Sequence, residues 1–308
     1  MTTITGGTIN ELFAGSARRT IDGDKVSPRG MNTRELLDVR LLLEDPRARL
    51  LHAPPGRVLN TAFAVAETVW ILSGSDAPWI YEFNGQLRQY AEDDGVLRGA
   101  YGPRMRCWDG YVDQLALALT TLQGDPDSRR AVIQLYDPAR DAGGHRDVPC
   151  TLGYRFHLRR GRLHMATTMR SQDLWTGLPY DVFAATTLHE LMAGWLGAEL
   201  GQYHHHVDSL HVYERDLDNV IAVLDMGIFT PDKLPSLETP WEGFDALLAD
   251  VRSGRKTHHS GWDTMGAVLA SYQQWKRGDR EAAVRSAGEV DGLLGQGLCA
   301  WYDLLKSR

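Results

Sequence analysis

Cys150 is the residue of this chain whose surroundings in the sequence best suit a nucleophile. It directly follows Pro149, ahead of a segment patterned as a β-strand. The chain then reads Arg-Ser-Gln-Asp over residues 170–173 and Gly-Leu-Pro-Tyr-Asp over residues 177–181. A cysteine becomes nucleophilic when a nearby positive charge and partial exposure favour its thiolate. Taken alone, a single cysteine is more often a buried and inert residue.

Five motifs in a fixed order give the pattern its specificity. They are Asp-Pro-Asp-Ser-Arg-Arg at 125–130, Pro-Cys at 149–150, Arg-Ser-x-Asp at 170–173, Gly-Leu-Pro-aromatic at 177–180 and His-x-Tyr at 211–213. In type and order they resemble the motifs of the thymidylate synthases. A weaker match upstream takes in Arg29, Glu67 and Tyr101, and the resemblance fades beyond Asn219.

The resemblance implies a role for each matching residue. The catalytic set would be Cys150, which adds to C6 of a pyrimidine, with Glu67 for water and proton transfers, Asp173 and Tyr101. The substrate set would be Arg29, Arg170 and Ser171 on the 5′-phosphate, Arg129 and Arg130 reaching the same phosphate from the partner subunit of a homodimer, and His211 and Tyr213 on the 3′-hydroxyl. The co-substrate, the reduced folate 5,10-methylenetetrahydrofolate, would contact Asp173, Gly177 and Tyr180.

Guanidinium forks match phosphate oxygens in both geometry and charge, which suits the arginines to this role. Each motif also has a structural interpretation, since an arginine pair is usually a solvated surface and a lone histidine a satisfied core residue. The set of motifs, taken together, favours the functional interpretation.

Asp181 stands where the thymidylate synthase motif ends in Asn, the residue that recognises uracil. Cytosine presents an amino donor at N4 and an acceptor at N3, so a carboxylate sharing one proton with the base fits it. An ionised Asp facing O4 of uracil would place two acceptors together, at a cost of roughly 1–3 kcal/mol. Cytidylate hydroxymethylases of this superfamily carry Asp here, so the sequence predicts a cytidylate substrate. The alternative is that Asp181 only caps the helix that follows.

Other departures concern the reduction that completes a thymidylate synthase reaction. Leu87 and Tyr90 align with two Trp residues beside the folate, and Thr151 replaces the usual aromatic or His after the nucleophile. The family closes its site with an apolar C-terminal tail, whereas this sequence ends Leu-Leu-Lys-Ser-Arg. If water reaches the methylene intermediate before hydride does, the product is a hydroxymethyl group.

The elements that must position these residues are predicted from periodicity. Strands are expected at 39–43, 129–136 and 202–207, and a hairpin at 151–158 and 163–169. Helices are expected at 60–72, 111–122 and 179–200, with further helical stretches at 246–251, 265–275 and 280–294. Residues 1–28 are weakly patterned, with turns at 6–7 and 22–23.

The resemblance implies an α/β (α+β) fold of the thymidylate synthase type. In that fold a large mixed β-sheet lies at the dimer interface and is covered by helices, here with extra C-terminal helices. We expect one catalytic domain over residues 1–308, with 221–308 as a divergent, mostly helical part.

Composition narrows the function classes. The net charge of −7 argues against a general binder of polymeric nucleic acid or of anionic membranes. Three cysteines without a CxxC pair argue against a disulfide framework or a structural zinc site. His204, His205 and His206 cannot chelate one ion together, because successive strand residues face opposite sides, so no metal is expected. Neither a signal peptide nor a long apolar span is evident, which predicts a cytoplasmic protein.

The sequence therefore predicts a homodimeric transferase that hydroxymethylates C5 of CMP or dCMP with methylenetetrahydrofolate, through a covalent bond from Cys150 to C6. Two alternatives remain open. One is a C5 methylase acting on dUMP or dCMP. The other is a catalytically inactive homologue that binds nucleotides.

Overall fold

The computed structural model describes residues 2–227 and 233–307, so Arg308, the last residue of the tail considered above, lies outside the described residues. The strands are β1 (Thr2–Gly6), β2 (Asp24–Val26), β3 (Thr33–Leu43), β4 (Val132–Gln134), β5 (Thr151–Arg159), β6 (Arg162–Met169), β7 (Gln172–Asp173) and β8 (Glu199–Tyr213). The helices are α1 (Ile9–Thr20), α2 (Thr61–Leu72), α3 (Ile80–Phe83), α4 (Tyr101–Arg106), α5 (Gln114–Gly124), α6 (Pro138–Asp141), α7 (Leu178–Trp195), α8 (Leu217–Asp225), α9 (Phe244–Ser253), α10 (Ser260–Lys276), α11 (Arg280–Gly288) and α12 (Gly292–Lys306).

A mixed sheet with the strand order β1-β3-β8-β6-β5-β4 forms the centre of the protein, and β2 and β7 pair with β3 and β8. The β1–β3 and β6–β8 pairs are parallel, whereas β3–β8 and β5–β6 are antiparallel. Helices α1 and α7 contact the sheet, and α2 packs on α7. This mixed sheet with helices against it confirms the expected fold class.

Burial alternates along β8, as a half-covered sheet requires. Tyr203 and His205 are buried toward the helices, whereas His204 and His206 lie on the opposite face, where Arg40 contacts the His204 ring at 2.9 Å. Adjacent histidines therefore point to opposite sides, as the sequence predicted. In the ranges that the structure describes, no group of three or more His, Cys, Asp or Glu side chains is arranged to hold a metal ion.

Helix α2 is apolar on all sides because it lies between α7 and the C-terminal helices. The Asn60 side chain accepts a hydrogen bond from the Phe63 amide, which caps the helix where the sequence predicted it to begin. Contacts join α2 to α9, α10 and α12, and the Tyr272 ring of α10 stacks on Phe83 at 5.5 Å. The C-terminal helices thus cover the buried helix that carries Glu67.

Several predicted boundaries are wrong. The segment 1–28 was expected to be weakly patterned, but its residues 2–26 contain β1, α1 and β2, with Thr8 as the α1 cap. The helix expected over 179–200 ends at Trp195, and Gly197 adopts a φ of 61° in the turn that follows. Tertiary pairing with β3 and β6 then extends the expected short strand 202–207 to the fifteen residues of β8.

Smaller errors affect other elements. The 111–122 helix begins later, at Gln114, because the Asp113 side chain caps it. The 129–136 strand shortens to β4. The 280–294 stretch is interrupted between α11 and α12, a helix that the periodicity did not reveal. Within the described ranges, every helix is too short or too polar to cross a bilayer.

Candidate active site

Cys150 and Arg170 are neighbours because β5 and β6 form a hairpin. The register pairs Thr151 with Met169, so the Arg170 amide donates to the Cys150 carbonyl at 2.9 Å. The Arg170 guanidinium donates to the carbonyls of Val148 and Pro149, both at 2.9 Å, and lies 3.6 Å from Cys150 Sγ. One arginine therefore holds the segment before the cysteine and places positive charge beside its sulfur.

Opposing effects act on the Cys150 thiol. Burial raises its pKa, Arg170 and Arg29 lower it, and the carboxyls of Asp181 and Asp147 raise it. The pKa stays above the ordinary value, so the thiol is mostly protonated in the unliganded protein. A bound phosphate or base that changes these charges would change the thiolate fraction.

The other proposed phosphate residues lie in two places. Arg29 sits in a short 3₁₀ turn with φ of 53°, and its charge acts on both Cys150 and Tyr213. Ser171 follows Arg170 at the end of β6. Arg129 and Arg130 are exposed just before the edge strand β4, and neither is among the charges acting on the Cys150 thiol. The structure thus places the charges of Arg29 and Arg170 near the Cys150 thiol, with Ser171 next to Arg170 in the chain, and leaves Arg129 and Arg130 outside.

The short strand β7 brings Asp173 to the end of β8. Asp173 pairs with His211, and the His211 and Tyr213 rings lie 5.3 Å apart, edge to face. The Asp173 carboxylate accepts from the amides of Trp175 and Thr176 at 2.8 and 3.2 Å and from the Thr176 hydroxyl. Asp173 therefore also stabilises the turn that leads into α7.

Two carboxyls share the interior of the site. Burial, together with the nearby charge of Asp181, raises the pKa of Glu67 on α2 to about 8. Burial raises the pKa of Asp181 to about 6; a hydrogen bond from Gln172 at 2.8 Å opposes this rise, and Asp173 adds to it. At neutral pH Glu67 is therefore a proton donor, while Asp181 exchanges a proton near physiological pH.

Tyr101 and Tyr180 are held by backbone contacts. The Tyr101 hydroxyl accepts from the Thr151 amide at 3.2 Å, next to the nucleophile, and burial raises its pKa well above the ordinary value. The Tyr180 hydroxyl accepts from the Asn60 amide at 3.1 Å, and its ring packs edge-on against Phe63. Tyr101 is thus at the site, whereas the Tyr180 contacts link α7 to the start of α2.

Two residues that the sequence analysis did not assign take part in the site. Gln172, the variable position of the Arg-Ser-x-Asp motif, is buried and donates to Asp181. Arg57 lies over the Trp175 ring at 4.3 Å and donates to the Trp175 carbonyl at 2.7 Å. The position of Gln172 inside a motif was a signal that it could matter. Arg57 lies in no motif.

The residues expected beside the folate lie in a short 3₁₀ helix, Gly85–Tyr90. Tyr90 is 46% exposed and close enough to Tyr213 for its charge to affect the pKa of that residue. An exposed aromatic ring at the edge of the site fits a flat heterocycle such as a pterin. The site thus combines the Cys150 thiol beside the Arg170 guanidinium, two carboxyls with raised pKa values, and the exposed Tyr90 ring at its edge.

The sequence matches the model of a known protein family. The thymidylate synthase family model matches residues 41–251, more than half of the chain. The match begins after Arg29, which lies outside it, and extends beyond Asn219, where the recognisable motifs end.

Individual relatives are phage enzymes. The chain is 34% identical over 230 residues to a deoxyuridylate hydroxymethyltransferase of Bacillus phage SP01, an alignment that covers 70% of this chain and 60% of the relative. It is 33% identical over 227 residues to a protein of the same name from Delftia phage PhiW-14, covering 69% and 62%. A thymidylate synthase of Bacillus phage phi3T is 31% identical over 179 residues, covering 56% and 64%. The chain thus spans less than two-thirds of the length of these relatives.

Proposed function

Since this chain belongs to the thymidylate synthase family, we propose that it hydroxymethylates C5 of a pyrimidine nucleoside monophosphate, with cytosine as the base. The single observation that carries the choice of base is Asp181, a half-buried residue at the position of the family's uracil-reading Asn, where desolvation raises the pKa of its carboxyl to about 6. The co-substrate in this proposal is 5,10-methylenetetrahydrofolate, which supplies the one-carbon unit.

The chemistry begins at Cys150. Its sulfur adds to C6 of the base, and this addition makes C5 a nucleophile that bonds to the one-carbon unit. In cytosine, N3 takes the proton of the Asp181 carboxyl as the sulfur adds, which leaves the adduct neutral. The Asp181 carboxylate that remains then stabilises the positive charge that develops at N3 when C5 bonds to the one-carbon unit. Arg170, beside the sulfur at 3.6 Å, favours the thiolate that starts the reaction.

Proton transfers complete the reaction. The C5 proton leaves together with tetrahydrofolate, and a methylene remains at C5. Water adds to this carbon while the bond from Cys150 to C6 breaks, which gives the hydroxymethyl base and a free thiol. Glu67, with its pKa raised to about 8, is the group able to give and take protons near neutral pH.

A uridylate substrate is the second candidate. Relatives at 34% and 33% identity are named deoxyuridylate hydroxymethyltransferases. A protonated Asp181 also offers one donor and one acceptor, as an Asn does. The names of these relatives therefore favour uracil, whereas Asp181 in place of the family's Asn, with a carboxyl that can share one proton with N3, favours cytosine.

Mass spectrometry of the products tests the proposal. The protein is incubated with methylenetetrahydrofolate and, separately, with CMP, dCMP, UMP and dUMP. We expect a hydroxymethyl product from a cytidylate and a much slower reaction with the uridylates. A methyl product would contradict hydroxymethylation, and a faster reaction with uridylate would contradict the base. Failure to release tritium from C5-labelled nucleotides would identify an inactive homologue.

A further inference from the structure

A chain of buried hydrogen bonds runs from β6 through β8 and β7 to Asp181. Thr167 Oγ1 lies 2.8 Å from the Tyr203 hydroxyl, which lies 2.8 Å from His205 Nδ1. His205 Nε2 lies 2.8 Å from Gln172 Oε1, and Gln172 Nε2 lies 2.8 Å from Asp181 Oδ2. The four residues that lead to Asp181 are each at most 2% exposed, so water does not compete for these bonds.

The proton positions along this chain follow from its chemistry. Burial, with the nearby charge of His206, lowers the pKa of His205 to about 3, so the imidazole carries one proton. Burial raises the pKa of Tyr203 far above its ordinary value, so its hydroxyl stays protonated. When Tyr203 donates to Nδ1 of His205, the imidazole proton is on Nε2 and is donated to Gln172 Oε1. The Gln172 amide nitrogen must then face Asp181.

Gln172 consequently distinguishes the two oxygens of Asp181. Its amide donates to Oδ2, which therefore stays an acceptor, and a proton taken up by the carboxyl goes to Oδ1. The reverse arrangement, with the Gln172 oxygen toward Asp181, would place two acceptors together whenever the carboxyl is ionised. It would also require His205 to carry its proton on Nδ1 and Tyr203 to donate to Thr167.

Gly177 packs against this hydrogen bond. A Cβ at position 177 would lie 2.7 Å from Gln172 Nε2 and 3.3 Å from Asp181 Oδ2. Any side chain there would push the two groups apart. The glycine of the Gly-Leu-Pro motif thus leaves room for the contact between Gln172 and Asp181.

We propose that Gln172, oriented by His205 and Tyr203, is a positioning residue that fixes which oxygen of Asp181 carries a proton and thereby sets the base preference. This inference rests on the proposed contact of Asp181 with the base. Cytosine needs a proton on the oxygen that faces N3 and a bare oxygen toward N4, whereas uracil needs the opposite arrangement. A carboxyl that can hold its proton on either oxygen would accept both bases, and Gln172 allows only one arrangement.

The test compares the cytidylate-to-uridylate ratio of kcat/KM in wild type and in Gln172→Met, which keeps the length of the side chain but removes its donor and acceptor. We expect the ratio to move toward one by at least ~10-fold, since a buried polar group loses its partner. Tyr203→Phe, which frees the tautomer of His205, should move the ratio in the same direction by a smaller factor. The ratio of the dissociation constants for CMP and UMP, measured at equilibrium without folate, tests the same preference without depending on turnover.

Tyr302→Phe is the matched control, because it removes the hydroxyl of another fully buried tyrosine, one that bonds Ser271 at 2.9 Å in the C-terminal helices. It should leave both ratios unchanged. If a cooperative thermal unfolding transition shows that Gln172→Met is folded, and its cytidylate-to-uridylate ratio stays within ~3-fold of wild type, the inference is wrong. An equal change in Tyr302→Phe would also overturn it.

The base preferred by the wild-type protein is a separate result. A wild type that prefers uridylate would refute the cytosine assignment, and Gln172→Met would then be expected to lose a uridylate preference. The size of the change in the ratio tests the role of Gln172, and the direction of the wild-type ratio tests the proposed function.

Discussion

Three acidic groups lie in one site, and burial raises the pKa of each. Cys150 carries the thiol that must ionise, with Arg170 and Arg29 as the nearby positive charges. Glu67 and Asp181 carry the two carboxyls, with pKa values of about 8 and about 6. Because the pKa of Glu67 lies above neutral pH and that of Asp181 lies below it, Glu67 can act as an acid and Asp181 as a base.

Cys150→Ala should abolish turnover and leave nucleotide binding largely unchanged, because the thiolate alone makes C5 nucleophilic. Product formation and calorimetric titration with nucleotide measure the two effects separately. Cys150→Ser serves as the conservative comparison and should also be inactive. Turnover near the wild-type rate in Cys150→Ala would refute covalent catalysis by this residue.

Asp181→Asn should lower kcat/KM for a cytidylate by at least ~10²-fold and raise it for the uridylate, because the amide replaces an acceptor by a donor. Steady-state kinetics on both bases for both proteins measure the change. Phosphate and sugar contacts are common to the two substrates, so they cancel in the ratio. A variant that keeps the wild-type preference would assign Asp181 to capping α7 alone.

Glu67→Gln should stabilise the protein at high pH. The folded pKa of Glu67, about 8, lies above the ordinary value of 4.5, so ionisation disfavours the folded state. The free energy of unfolding therefore has its full value with respect to Glu67 below pH 4.5, and it falls as the pH rises toward 8. We expect Glu67→Gln to exceed wild type by ~2–4 kcal/mol at pH 8 and to match it near pH 4.5, in urea unfolding. An equal difference at both pH values would contradict this.

At the scale of elements, the segment before Cys150 is held by a buried ion pair. Arg104 of α4 donates to both carboxylate oxygens of Asp141 in α6, at 2.6 and 2.7 Å. The amide of Asp137 and the ring of His145 also bond this carboxylate. Burial opposes ionisation of Asp141, but these hydrogen bonds outweigh it and lower the pKa to about 2.

Asp141→Asn should destabilise the protein by ~3–5 kcal/mol, because it leaves the charge of Arg104 buried without its partner. Since the folded pKa of Asp141 is below its ordinary 3.8, its contribution is present above about pH 4 and is lost as the pH falls toward 2. The unfolding free energy at pH 7 measures the effect. Asp93→Asn is the control, because Asp93 is 93% exposed in its pair with Arg146 and should change stability by less than ~1 kcal/mol.

At the scale of the whole molecule, one face of the sheet carries partly exposed Arg40, Arg155, His204 and His206, while the helices α1 and α7 contact the sheet. Arg129 and Arg130 are exposed beside the edge strand β4. A two-fold dimer through this sheet face would use the same surface on both subunits. We therefore propose a homodimer in which Arg129 and Arg130 of each subunit complete the phosphate site of the partner.

Mixing two inactive variants tests the dimer. Arg130→Ala lacks the phosphate contact and Cys150→Ala lacks the nucleophile, so a heterodimer would hold one complete site. Refolding an equal mixture should recover about a quarter of wild-type activity, because half of the dimers are mixed and each has one complete site of its two. Mixing Cys150→Ala with Cys150→Ser should recover none. A fully active monomer at assay concentration would refute the shared site.

The sequence by itself determined which residues could do the chemistry. Cys150, Asp181 and the motifs around them could be identified from the linear sequence, because residue types and spacing are local properties. The same holds for α2 and for the hairpin of β5 and β6, since periodicity and turn residues act over a few positions.

Only the tertiary structure decided how these groups interact. The full length of β8 depends on pairing with β3 and β6, which supply hydrogen bonds that no local pattern reveals. The pKa values of Glu67 and Asp181 depend on burial, and the role of Gln172 depends on His205, which is 33 residues away in the chain. Desolvation and long-range hydrogen bonding arise from the packed fold, so sequence spacing could name the acid groups but not their protonation states.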